Sequence, residues 1–136
     1  MRISARAVII ENGKVLTMFR RRIKNGEVRE YYVIPGGGQD AGETLEDTVK
    51  RELQEEMNVT IEVLGYLGQM DDPNGASNFY HCKITSGTPH LGGEELDKQS
   101  PENYYEPRFV SLDDLDKIDI IGTEFINMAA QYEFSK

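Results

Sequence analysis

Residues 37–59 read Gly-Gly-Gln-Asp-Ala-Gly-Glu-Thr-Leu-Glu-Asp-Thr-Val-Lys-Arg-Glu-Leu-Gln-Glu-Glu-Met-Asn-Val, and this stretch sets the reading of the rest. Leu45, Val49, Leu53 and Met57 recur every four residues, which gives one apolar stripe along a helix. Thr44 with Asp47 three residues on has the form of a capping box, so the helix is predicted to begin near Leu45. Immediately upstream, Pro35-Gly36-Gly37-Gly38 closes a strand-like run, Tyr31 to Ile34. Consecutive glycines forfeit backbone order unless unusual dihedrals or a close approach is required there.

Working outward, Ile3 to Ile10 is rich in β-branched residues, and Asn12-Gly13 is a two-residue hairpin signal leading into a second strand, Lys14 to Arg20. Lys24-Asn25-Gly26-Glu27 predicts a further turn. Beyond the helix, strands are expected over Thr60 to Leu67 and Asn78 to Thr85. Ser86 to Glu106, punctuated by Gly87, Pro89, Gly92, Gly93 and Pro101, reads as a long loop, and such loops are usually functional or mobile. A short strand, Arg108 to Val110, precedes a helical turn capped by Ser111, and a last helix is expected from Thr123 to Tyr132. Interspersed strands and helices of this kind make an α/β or α+β domain.

The chain has 136 residues, so a single domain over 1–136 is the natural expectation. Hydrophobic content of 38% with 29% charged residues belongs to a globular chain. Met1 leads into a strand-like run, which argues against a signal peptide or a spanning helix and hence against membrane insertion. Cys82 is the lone cysteine, no internal disulfide can form, and a cytoplasmic home is the simpler expectation. Its expected role is that of a small half-buried hydrophobe in a strand. His81 and His90 lack metal-ligand spacing and are read as structural. The net charge of −9 disfavours binding to a nucleic-acid polymer. An anionic substrate would need a divalent cation between itself and the protein.

At roughly 100° per residue, Glu52 and Glu56 fall within about 40° of one another on the helix, with Glu55 to one side. They border the apolar stripe, whereas solvating charges normally occupy the opposite face. Three carboxylates within two turns repel one another unless counter-ions are present. Oxygen donors suit Mg²⁺ or Mn²⁺. A solvated acidic patch is the competing reading, and the helix alone does not separate the two.

The preceding loop adds to this. Gly37, Glu43 six residues on, Arg51-Glu52-Leu53, Glu55-Glu56 and Val59 resemble the signature of the Nudix hydrolases, the MutT-like family. Its pattern is Gly, five residues, Glu, seven residues, Arg-Glu-aliphatic, one residue, Glu-Glu, one residue, Gly-aliphatic. Asn58 stands where that pattern has glycine. The position follows a helix end, where a left-handed backbone is wanted and Asn is next best after Gly. Tyr32-Val33-Ile34-Pro35-Gly36-Gly37-Gly38 is similar to the strand that enters the family's motif. Glu106-Pro107-Arg108-Phe109-Val110, followed by Asp113-Asp114-Leu115, is similar to its late strand and helix.

The resemblance implies an α/β/α sandwich around a mixed, partly antiparallel sheet. It implies hydrolysis of a diphosphate linkage in a nucleoside diphosphate derivative: a nucleoside triphosphate, ADP-ribose or a nucleotide sugar. Glu52, Glu55 and Glu56 would hold Mg²⁺, with Mn²⁺ as a substitute, and the carbonyl of Gly36 or Gly37 would complete the shell. Bound ions would neutralise developing charge and activate water. Glu43 and Arg51 would brace the loop against the helix. Glu106 is the favoured general base, with Glu94, Glu95 and Glu102 as rivals. Arg20 and Arg22 are candidates to reach substrate phosphates, although strand alternation forbids Arg20, Arg21 and Arg22 from facing one way. A small-molecule nucleotide is the implied partner, and a homodimer is left open. A silent nucleotide-binding or sensory domain is the alternative; the intact set of motif carboxylates counts against it.

Overall fold

A computed structural model describes residues 2–134. The elements run β1 (Arg2–Glu11), β2 (Lys14–Lys24), β3 (Glu27–Val33), β4 (Gly36–Gly38), α1 (Leu45–Met57), β5 (Thr60–Asp72), β6 (Gly75–Ser86), α2 (Gly93–Lys98), β7 (Asn103–Ser111), a 3₁₀ turn (Leu112–Lys117) and α3 (Thr123–Phe134). The seven strands form a mixed sheet in the order β3-β2-β1-β6-β5, with β7 beside β2 and β4 beside β1. β1 and β6 are parallel and the other strand pairs antiparallel.

Side-chain alternation along β1 divides the core. Ala5, Ala7 and Ile9 face Val49, Leu53 and Met57 of α1, whereas Val8 belongs with Ile34, Phe79, Phe125 and Ile126 beneath α3. Phe79 and Phe125 stack at 4.2 Å. The architecture is therefore helix, sheet, helix, as the sequence implies. Cys82 is buried on the α1 face, and burial pushes its thiol up to about 12. His81, on the other face, is buried with its Nε2 2.8 Å from Glu133 Oε1 on α3. No helix among the described residues is long and apolar enough to cross a membrane.

The turns at Asn12-Gly13 and Asn25-Gly26 carry positive φ at each residue, 53° and 75° in the first and 52° and 79° in the second, the geometry that tight hairpins demand. β1 pairs with β2 only at Ile10–Val15 and Glu11–Lys14, then the two strands part. Gly36–Gly38 fills the gap beside Ser4–Arg6. This short strand corrects the expectation that the glycines merely end a strand. A Cβ on Gly36 would lie 2.1 Å from the Ala5 carbonyl oxygen, so no other residue fits this pairing.

Several elements are longer than hydrophobic patterning predicts. β3 begins at Glu27 because the hairpin projects into solvent and is matched by charge, Lys24 opposite Glu27 and Arg21 opposite Glu30, instead of by apolar alternation. The expected loop from Ser86 to Glu106 holds α2 and the start of β7. Pro107 lies within β7, which pairs with β2 alone, and proline is tolerated on such an edge.

Helix α1 starts at the predicted cap. Thr44 Oγ1 accepts from the Asp47 amide at 3.1 Å, and the Asp47 carboxylate accepts from the Thr44 amide at 3.4 Å. Leu53 is fully buried in the middle of the α1 face. Leu53→Ala is expected to cost about 2–5 kcal/mol of stability, read as a lower urea midpoint with an unchanged denaturant slope.

Candidate active site

Arg51 stands between the glycine loop and the carboxylates on the second half of α1. Its Nε donates to Glu43 Oε2 at 2.6 Å and its Nη2 to Glu43 Oε1 at 3.0 Å, a bidentate pair. Nη2 also donates to the Gly38 carbonyl at 2.9 Å, and Nη1 reaches Glu52 at 2.9 Å and Glu55 at 3.2 Å. The Glu43 carboxyl, held first by Arg51 and then by the Asp40 amide, falls to about 2. The Arg51 guanidinium is correspondingly held more firmly protonated.

Gly37 lies against Glu52. A Cβ there would be 2.5 Å from the Glu52 carboxyl carbon, so the absent side chain is what lets the carboxylate approach the strand. One turn on, Glu56 is only 7% exposed, and its Oε2 is buried without a hydrogen-bond partner among the described residues. Burial is the main reason that its carboxyl is pushed well above the usual range, with the charges of Glu95 and Glu52 next and Arg6 opposing. Glu52 is also raised, first by burial, against the pull of Arg51. Perturbed carboxyls of this kind cluster at functional sites. Glu55 is exposed, with its carboxylate drawn to Arg51.

The donor set fits a hard divalent cation. It offers oxygen only: a buried carboxylate oxygen with no proton donor, a second carboxylate beside it, and a backbone strand bared by glycine. Among the described residues no three His, Cys, Asp or Glu side chains already converge into a closed cage. Mg²⁺ keeps several waters and takes one or two carboxylates, a demand that the pair Glu52 and Glu56 could meet.

The structure separates Glu106 from this group. It lies in the middle of β7, not on a loop. Its neighbour Tyr105 turns into the core under α1, so Glu106 turns to the opposite face. There it accepts from Arg108 Nε at 2.7 Å and from the Tyr104 hydroxyl, which together, Tyr104 first, hold its carboxyl below the usual range. A groove of about 630 Å³ opens beside it between Phe19, Tyr104 and Arg108, again on the face opposite α1. The charge of Glu95, on α2, is felt at Glu56 and helps to raise its carboxyl.

Arg20 and Arg22 share the α1 face of β2, and Arg21 faces the other way. Arg20 is engaged internally: it lies over the Tyr105 ring at 4.3 Å, and its Nη2 donates to the Tyr105 hydroxyl at 2.7 Å. Arg22 is exposed near the β2–β3 turn with Lys24 and Arg29. The cation near Glu56 is instead Arg6, whose Nη1 donates to the Ile34 carbonyl at 2.8 Å. Sequence patterning passed over Arg6; its one signal was a charge between Ala5 and Ala7 in an otherwise apolar strand. Arg6 also lines a largely apolar cavity of about 230 Å³ with Tyr32, Ile34, Met70, Phe79 and Asp119.

Comparison with known proteins agrees with this geometry. An ADP-ribose pyrophosphatase of Methanocaldococcus jannaschii is 28% identical over 110 residues, which are 81% of this chain and 62% of that protein; the chain thus spans under two-thirds of its length. A MutT NUDIX hydrolase from Burkholderia pseudomallei is 27% identical with a TM-score of 0.65, covering 84% of this chain and 85% of that one. An ADP-ribose pyrophosphatase from Streptococcus suis, 20% identical, shares the fold with a TM-score of 0.68 over 97% of this chain and 91% of that one. Residues 1–127 match the NUDIX domain, and the chain belongs to the Nudix family.

Proposed function

We propose that this protein is a Mg²⁺-dependent pyrophosphohydrolase that cleaves the diphosphate linkage of a nucleoside diphosphate derivative. The observation that carries the reading is the buried, unpartnered Oε2 of Glu56 beside Glu52 and the Gly37 backbone. Glu52 and Glu56 would hold the cation, with Glu55 and a carbonyl of Gly36 or Gly37 completing its shell; Mn²⁺ would substitute. Such an ion, when bound, screens phosphate charge and lowers the pKa of water.

The chain's own residues do the rest. The apolar cavity bounded by Tyr32 and Phe79, on the α3 face of the sheet, is the seat proposed for the nucleoside portion, and Arg6, at its edge, supplies a positive charge that is also felt at Glu56. Water oxygen bonds to one phosphorus, the bridging oxygen leaves with the other phosphate, and the water proton passes to a carboxylate. Glu95 replaces Glu106 as the proposed acceptor, because its charge is felt at Glu56 whereas the Glu106 carboxylate is already engaged by Tyr104 and Arg108. ADP-ribose is the first substrate to try, given the named activity of the archaeal relative.

Turnover is to be measured on ADP-ribose, nucleoside triphosphates and nucleotide sugars, with Mg²⁺ and with EDTA. One substrate class should be hydrolysed with Mg²⁺ only, and Glu56→Gln should lose activity by orders of magnitude while remaining folded. Glu95→Gln should lose about 10²–10⁴-fold, the usual worth of a general base. Metal binding without turnover on any substrate would favour a sensory domain instead.

The Glu43–Arg51 brace gives a separate acid signature. A carboxyl whose folded value lies near 2, below the usual 4.5, adds stability that is complete above 4.5 and is lost as pH falls toward 2. The melting temperature of the wild type should therefore drop more steeply between pH 4.5 and 2.5 than that of Glu43→Gln. Parallel curves would show that the pair contributes nothing to folding.

A further inference from the structure

We propose that Asn58, which occupies the glycine position of the family's motif, is a positioning residue: its side chain fastens residues 87–93 to the end of α1 and so sets Glu95 beside Glu56. The inference rests on the hydrolase reading for its catalytic consequence, but its structural half stands apart from it.

The backbone at Asn58 is left-handed, with φ 57° and ψ 37°, and its amide closes onto the Gln54 carbonyl. Glycine would adopt this conformation at less cost. The turn therefore does not explain the side chain. What the side chain does is donate from Nδ2 to the His90 carbonyl at 3.1 Å. Around that bond the distant segment also caps α1. The His90 amide donates to the Met57 carbonyl at 3.0 Å and the Gly92 amide to the Glu56 carbonyl at 2.9 Å, satisfying carbonyls that a helix end leaves open.

The fit is close enough to exclude side chains. A Cβ on Gly92 would come within 2.6 Å of Asn58 Nδ2 and 2.9 Å of the Glu55 carbonyl oxygen, and one on Gly93 within 2.9 Å of that same oxygen. At Gly87, with φ +93°, it would meet the Asn58 carbonyl oxygen at 2.6 Å. Helix α2 begins at Gly93 and has six residues, no side-chain N-cap bond, and a Leu96 that is 54% exposed. So short a helix is not stable by itself. Its start is held by the segment before it, where Leu91 packs on the core and Asn58 fixes the register, and its end by β7, where Asn103 Nδ2 donates to the Lys98 carbonyl at 3.2 Å. Glu95 is the third residue of that helix.

The test compares wild type, Asn58→Gly and Asn58→Asp, the last being isosteric and tolerant of the left-handed turn but unable to donate. Amide exchange is followed over residues 88–98 in metal-free protein, and kcat and KM are measured on the best substrate, alone and combined with Glu95→Gln. Both variants should melt as cooperatively as wild type, exchange faster across 88–98, and lose about 10- to 100-fold in kcat with little change in KM, the usual penalty for losing an outer-shell support. In the Glu95→Gln background Asn58→Gly should cost nothing further. Wild-type exchange and turnover in Asn58→Gly would overturn the proposal, making Asn58 a mere stand-in for glycine. A loss that persists in full on top of Glu95→Gln would overturn the link to Glu95. If even the wild type hydrolyses nothing, faster exchange in the variants upholds the tether and sinks only the hydrolase reading.

Discussion

A single guanidinium holds the site together. Arg51 ties the far end of the glycine loop, through Glu43 and the Gly38 carbonyl, to the middle of α1, through Glu52 and Glu55. Lysine could not replace it, because the geometry uses a planar fork with donors pointing in several directions at once. With loop and helix joined, β4 can lie in the opening between β1 and β2, and Glu52 can meet Gly37 without an intervening side chain. The neighbouring Glu56 is then buried among carboxylates. Such a group is costly in a chain that is already net negative, and a divalent cation would relieve that cost.

Much of this was legible in the sequence, for reasons that particular residues make plain. The Thr44–Asp47 cap and the stripe from Leu45 to Met57 depend on neighbours in the chain, and α1 begins and ends where they place it. The hairpins at Asn12-Gly13 and Asn25-Gly26 are local in the same sense. The family pattern from Gly37 to Val59 added the sheet and its flanking helices, because it is a record of a whole fold and not of one helix.

What stayed hidden depends on contacts between distant residues. Nothing in Glu106 or Glu95 as residue types says which lies near Glu56; sheet face and α2 decide it, and they turn Glu106 toward Tyr104 and Arg108. The six-residue α2 has no amphipathic pattern long enough to announce it. Arg6 gains its importance only when β1 is laid beside β4 and α1 beneath them. Charged strands also escape hydrophobic reading, as the outer half of the β2–β3 hairpin shows.

The parallel pairing of β1 with β6 has a consequence for how the chain acquires this arrangement. Ser4 meets Ser77 across a separation of 73 residues, and β2, β3, β4, α1 and β5 all lie within that span. Hairpins and α1 can form early from local contacts, but the first strand has no parallel neighbour until the region around Cys82 has been synthesised. Closing so large a loop is slow compared with local pairing. During synthesis the N-terminal strand must therefore wait with one edge open, and the carboxylates of α1 meet their glycine strand before the sheet beneath them is complete. The partners of α1 within the glycine loop are thus synthesised ahead of β6, whereas α2 and its Glu95 follow it.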